Sequence, residues 1–173
     1  MVKVVKRGGL ELKTLHLIRH AKSSWQNTGL EDVERPLKKR GIRDARLMAP
    51  AMWESGWRGG RVCCSTARRA RDTLQLLVDE LKEGTFDIAY DIDLYTFDYN
   101  DLLDWLSPRL EDELTLVGHN PALLGLVEWF TNAAQPRFPT GAYARLHFAA
   151  DSWSDCDRGS ATLEAFIAPK RLK

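Results

Sequence analysis

Cysteine is scarce: three occur among 173 residues, with Cys63 adjacent to Cys64 and Cys156 alone. An odd count at that spacing fits neither a disulfide framework nor a zinc site, so the thiols read as reduced and mostly buried. Charge of one sign is missing as well. The 25 basic residues nearly cancel the 24 acidic ones, which removes the global field of a nucleic-acid or membrane-surface protein and makes any anion site local. Long apolar runs are absent. Residues 1–13 carry Lys3, Lys6, Arg7, Glu11 and Lys13 between short apolar stretches, too interrupted for the core of a secretory leader, and no later stretch is long enough to span a bilayer. A cytoplasmic protein with neither nucleic acid nor membrane as partner is therefore expected. No histidine and carboxylate cluster has ligand spacing, so no metal or other cofactor is implied. Repeats and low-complexity segments are lacking too. What remains is a 44% hydrophobic chain of ordinary domain length, read as a basic extension over 1–13 and one domain over 14–173.

Thr14 to Arg19 (TLHLIR) is a short apolar, partly β-branched segment running into a polar loop, which predicts a buried strand that delivers its end to a site. Arg61 to Ser65 and Leu114 to Gly118 have the same character, and Ile88 to Leu94 is a weaker strand candidate. Apolar positions Ile42, Ala45, Ala49 and Met52 recur at helical spacing, as do Ala70, Leu74, Leu77 and Leu81, with Ser65 or Thr66 available as a cap for the second helix. Asn100 to Leu106 predicts a short helix, and Leu123, Val127 and Phe130 form the stripe of another. Alternation at 142–148 and 161–167 predicts a terminal hairpin, and Gln135 to Gly141 a loop. Strands alternating with helices predict an α/β fold, a three-layer α/β/α arrangement around a mostly parallel sheet, in which ligands sit outside the carboxyl ends of the strands.

That rule places Arg19 with His20, Ser65 with Arg68, and His119 on one rim. Two guanidinium groups and two imidazoles there suit a tetrahedral dianion, because guanidinium forks bind phosphate oxygens bidentately and stay charged. A neutral imidazole is a competent nucleophile toward phosphorus, and neighbouring arginines disfavour its protonated form. A bound phosphate acts oppositely on the second histidine, letting it donate a hydrogen bond to the transferring group.

Leu17-Ile18-Arg19-His20-Ala21-Lys22-Ser23-Ser24-Trp25 resembles the Arg-His-Gly signature of the histidine phosphatase superfamily. Glu34-Arg35-Pro36-Leu37 with Gly41, then Ser65-Thr66-Ala67-Arg68-Arg69-Ala70-Arg71-Asp72-Thr73, then Val117-Gly118-His119-Asn120-Pro121 follow in that family's order and resemble its short SixA-type branch. The resemblance implies a minimal phosphoglycerate mutase-like fold without a large cap domain, and removal of phosphate from phosphohistidine on a signalling protein. It implies His20 as nucleophile, Arg19 and Arg68 as phosphate ligands, His119 as the second histidine, and Ser23 as a phosphate-loop hydroxyl, with Lys22 and Asn120 as further substrate contacts. Ala21-Lys22 where mutase-like members have Gly-Glu, and Gln26 where they have Asn, argue against mutase chemistry.

The general acid has no clear motif. Asp93 is the candidate taken, with Asp98 and Asp101 nearby in sequence and Asp32 in the loop after His20. A phosphohistidine leaving group, which water already protonates near neutral pH, makes a weak acid tolerable and favours a P–N substrate over an alkyl phosphate. His16 and His147 lie inside strands and read as structural. Arg35, Arg69 and Arg71 read as solvated or salt-bridged, although Arg71, one helical turn beyond Arg68, could line the rim. Among the tryptophans only Trp25 stands beside the site. Two alternatives remain: hydrolysis of a small phosphate ester, sugar or nucleotide, and a phosphate-binding module without catalysis.

Overall fold

The computed structural model describes residues 6–7 and 10–173, with side chains from residue 12 onward, so most of the basic extension lies outside the described residues. Strands β1 (Lys6–Arg7), β2 (Leu10–Arg19), β3 (Gly59–Ser65), β4 (Thr85–Asp91), β5 (Glu113–Gly118), β6 (Tyr143–Ala149) and β7 (Ala161–Ile167) alternate with helices α1 (Lys39–Glu54), α2 (Arg68–Glu80), α3 (Tyr99–Leu106) and α4 (Ala122–Thr131). The strand expected from Thr14 begins at Leu10. Lys13, assigned above to the extension, lies inside it, buried against Asp112 at 2.8 Å. The weak candidate at 88–94 splits: the strand ends at Asp91 and residues Ile92–Leu94 form a 3-10 turn.

The sheet runs β4-β3-β5-β2-β6-β7, with β1 paired onto β2. Its β4-β3-β5-β2 portion is parallel, and the β6-β7 hairpin closes it antiparallel. Side chains alternate across each central strand, so both faces bury apolar residues. Leu15 and Leu17 of β2 join Leu114 and Leu116 of β5 under Leu123, Leu126 and Phe130 of α4 and Leu102 and Leu106 of α3. Ile18, Val62 and Val117 face the other way onto Met48 and Met52 of α1 and Leu74 and Leu77 of α2. This is the expected three-layer arrangement, and only β4, a short turn and α3 separate α2 from β5, so no cap domain is inserted there.

The parallel register sets the site. Arg19 is paired with Gly118, Cys64 with Val117, and Ser65 with Asp91. The carboxyl ends of β2, β3 and β5 therefore finish at one level, and His20, Ser65 and His119 emerge together.

Candidate active site

His20 leaves β2 with its backbone held on both sides: its N–H donates to Gly118 at 3.2 Å, and its carbonyl accepts from Gly141 at 3.0 Å. The loop that follows is pinned from beneath. Ala21 N–H donates to Thr73 Oγ1 of α2 at 2.9 Å, Ser23 bridges to Leu37, and Lys38 N–H donates to the Lys22 carbonyl at 2.8 Å. Gly41 makes that approach possible, since a Cβ there would lie 2.2 Å from the Lys22 oxygen.

His20 Nδ1 sits 2.7 Å from the Ala21 carbonyl. A carbonyl only accepts, so Nδ1 carries the proton and Nε2 keeps its lone pair. Burial, then the charges around His119, Arg69 and Arg19, depress the His20 pKa to about 3 against the pull of the Ala21 bond. The ring of His119 lies 5.2 Å away, tilted, with Nε2 2.7 Å from Ser65 Oγ. Burial, then Arg69, lower the His119 pKa to about 3. Both imidazoles are neutral at ordinary pH.

Arg19 lines the same pocket, its Nη1 donating to the Phe138 carbonyl at 2.9 Å. Arg68 does not line it. Its side chain is half exposed, pairs with Asp72 at 3.4 Å and faces a separate hollow with Pro36 and Leu37. The guanidinium between the histidines belongs to Arg69, only 2% exposed, whose Nε donates to His20 Nε2 at 3.3 Å and whose Nη1 and Nη2 reach the Asp32 carbonyl (2.7 Å) and carboxylate (3.0 Å). The reason is helical phase. Counting from Ala70 on the buried stripe, Arg69 is about 100° away and Arg68 about 160°, on the opposite face. The stripe Ala70, Leu74, Leu77, Leu81 already carried that signal. Arg71 faces yet another hollow, with Thr66 and Tyr90.

Arg35, read from sequence as solvated or salt-bridged, is 6% exposed and lines the pocket. Its Nη2 donates to Ser23 Oγ at 2.7 Å, its Nε is 3.2 Å from Asp32 Oδ1, and its guanidinium stacks 3.3 Å over the Trp25 ring. Arg35 Nη1 and Arg19 Nε are buried without a hydrogen-bond partner among the described residues. Burial first, then Arg69, lower the pKa of both Arg19 and Arg35. Lys22, Ser23 and Asn120 also line the pocket, a cavity of about 500 Å³ completed by Tyr95, Phe97 and Thr140. The Asn120 amide is committed to structure, donating to the Phe138 carbonyl and accepting from Leu124 N–H.

Asp93 is displaced from this pocket. It is exposed, its N–H donates to Asp91, and with Asp101 and Asp104 it lines a different cavity. Asp98 caps α3. The lining carboxylate is Asp32; burial raises its pKa, but the hydrogen bonds from Tyr95 and Arg69 outweigh that and hold it below the ordinary value. Its partners favour the ionised form, which anchors Arg69 and Arg35. Neither Ser65 nor Thr66, the expected caps, is the N-cap of α2, which is Ala67 without a side-chain cap bond; Ser65 ends β3, its Oγ accepting the Ala67 N–H at 3.2 Å and partnering His119. Among the described residues no three His, Cys, Asp or Glu side chains are placed to hold a metal.

Among the described residues, Arg19, Lys22, Arg35 and Arg69 thus face a single lining carboxylate around a neutral imidazole whose unprotonated Nε2 accepts from Arg69, an arrangement for binding and attacking a phosphoryl group. The family model of the histidine phosphatase superfamily (branch 1) matches residues 15–113. The chain belongs to that superfamily. An uncharacterised protein of Mycobacterium tuberculosis is 32% identical to this histidine phosphatase over 166 residues, covering 88% of this chain and 100% of its own. A candidate phosphohistidine phosphatase SixA from Agrobacterium tumefaciens superposes with a TM-score of 0.75 at 27% identity, over 91% of this chain and 98% of that one. The protein histidine phosphatase SixA complexed with tungstate superposes with a TM-score of 0.76 at 23% identity, over 92% and 99%. The phosphatase assignment follows from the family. No helix among the described residues is long and apolar enough to cross a membrane.

Proposed function

We propose that this phosphatase removes phosphate from phosphohistidine on a protein, carrying the phosphoryl group transiently on Nε2 of His20. The supporting observation is the Nδ1 bond to the Ala21 carbonyl, which leaves the Nε2 lone pair beside the guanidinium groups of Arg19 and Arg69. In the first step Nε2 forms a bond to phosphorus while the bond to the leaving nitrogen breaks, its electron pair returning to an imidazole already protonated on its other nitrogen. The positive charge that develops on His20 is spread over a ring whose Nδ1–H stays on Ala21. In the second step water attacks phosphorus, His20 departs as neutral imidazole, and the proton from water goes to solvent. No proton leaves or joins His20 in either step.

Arg69, Arg19 and Arg35 bind the phosphoryl oxygens, with the buried unpartnered nitrogens of Arg19 and Arg35 as ready donors. Bound dianion raises the pKa of His119, which then donates to the transferring group. Two features favour a protein-borne P–N bond. The only lining carboxylate among the described residues is held ionised, so an alkoxide would leave without an acid. The mouth is uncapped, with Trp25 and Phe97 exposed at 68% and 48%.

The test is parallel incubation of the purified chain, with and without His20→Ala, with a phosphohistidine-bearing protein and with sugar, nucleotide and amino-acid phosphates. Release from the phosphoprotein, lost in the variant and unaffected by chelator, is expected. Preference for one small ester would keep the His20 chemistry and move the substrate; phosphate binding without turnover would leave a binding module.

A further inference from the structure

Two large aromatic side chains stand exposed at the mouth of the pocket, and phosphoryl transfer at His20 does not use them. Trp25 follows the phosphate loop on the Arg35 side. Phe97 precedes α3 on the other flank, its ring 5.6 Å from that of His119 and 5.6 Å from that of Tyr95. A single exposed aromatic is unremarkable on a protein surface. These two line the same cavity as His20, and each is held by a residue of the phosphate site. Arg35 stacks on the indole at 3.3 Å and is itself fixed by Ser23 and Asp32, so the indole is held in place while Trp25 stays 68% exposed. Phe97 is braced by His119 and Tyr95.

We infer that Trp25 and Phe97 are specificity-determining residues that receive the leaving group, and that the site selects phosphate carried on a flat ring. The inference rests on the His20 phosphoryl-transfer reading and deepens it. A ring stacked on a preset indole gains contact with little ordering cost, whereas a flexible alkyl chain presents no face to match.

The full-length chain is assayed with two P–N donors, phosphoimidazole and phosphoramidate, in which the bond broken is alike but the leaving group is a ring in one and ammonia in the other. The readout is the ratio of their kcat/KM values in the native chain and in Trp25→Leu, Trp25→Phe and Phe97→Leu, each checked for native circular dichroism. The ratio is expected to fall about fivefold to tenfold in the two leucine variants and to be largely retained in Trp25→Phe. A ratio within about twofold of native in every variant overturns the inference. Turnover of esters with neither P–N donor used would instead remove the phosphohistidine substrate. The ratio is then read with phenyl phosphate against glycerol phosphate, and an unchanged value there overturns the aromatic mouth. Absence of turnover with every donor removes both.

Discussion

Arg69 Nε lies 3.3 Å from Nε2 of His20, and its Nη2 lies 3.4 Å from Nδ1 of His119. One guanidinium therefore contacts both histidines, adds its charge to the burial that keeps them neutral, and stands where phosphoryl oxygens would come. Arg69→Ala is expected to lower kcat/KM by about a hundredfold to a thousandfold, the usual cost of removing one donor to a developing anion. Arg68→Ala, with its side chain on the other face of α2, is expected to stay within about twofold. Steady-state kinetics of the two single variants decide this, and the reverse order of effects would return the phosphate-binding role to Arg68.

Asp32 holds Arg69 through its carboxylate and accepts the Tyr95 hydroxyl. It is a positioning residue, and its negative charge also opposes a bound dianion. Asp32→Ala should therefore split two measurements. The kcat is expected to fall about tenfold as Arg69 loses its anchor, while inorganic phosphate, measured as a competitive inhibitor, binds as tightly as before or more tightly. Weaker phosphate binding together with lower kcat would show that the carboxylate serves only to keep the pocket folded.

Stability should fall on acidification over a defined window. The folded-state pKa of both His20 and His119 is lowered to about 3 from 6.5. Between those values the unfolded chain binds protons that the folded one refuses, so unfolding becomes easier as pH drops from 6.5 toward 3, with a slope of up to about 1.4 kcal/mol per pH unit for each histidine. Urea midpoints at pH 7 and pH 5 test this. His20→Asn is expected to lose less stability across that interval than the native chain, and an equal loss would place the acid sensitivity elsewhere.

Gly41→Ala is expected to destabilise the fold by about 1–3 kcal/mol and to impair turnover as well, because the added Cβ meets the Lys22 carbonyl and nitrogen. Those atoms are backbone of the phosphate loop and cannot rotate aside. A thermal shift without loss of activity would show that the loop moves without disturbing His20.

Much of the architecture was readable in the residues. The β2, β3 and β5 segments are short apolar runs bounded by polar turns, and the stripes of α1 and α2 repeat at three and four, because a strand buried on both faces and a helix buried on one leave those patterns. The boundary at residue 13 was not readable. Lys13 looks like part of a basic tail, yet Asp112 across the sheet and the Trp153 ring, 5.6 Å from its nitrogen, bury it. His16, which reads as structural, is buried between Tyr143 and Glu113, at 2.7 and 2.6 Å.

The site divides along the same line. The sequence by itself determined the chemistry available: His20 and His119 each follow a buried strand, Arg19 immediately precedes the first of them, and parallel strand order brings such positions to one rim. Which arginine of the Arg68-Arg69 pair enters the pocket was implicit in the phase of α2, but the strand order alone does not resolve adjacent residues. Tyr95 and Phe97 lie in loops and Asp32 in a single 3-10 turn, none with a periodicity that marks it, and Arg35, although inside the Glu34-Arg35-Pro36-Leu37 motif, carries no sign there of which way it points. Only the tertiary structure decided their place, because Arg35 is buried by contacts with Ser23, twelve residues away, and Tyr95 by one with Asp32, sixty-three residues away. A strand or helix carries its orientation in its own repeat, whereas a loop side chain takes its direction from whatever distant chain closes over it.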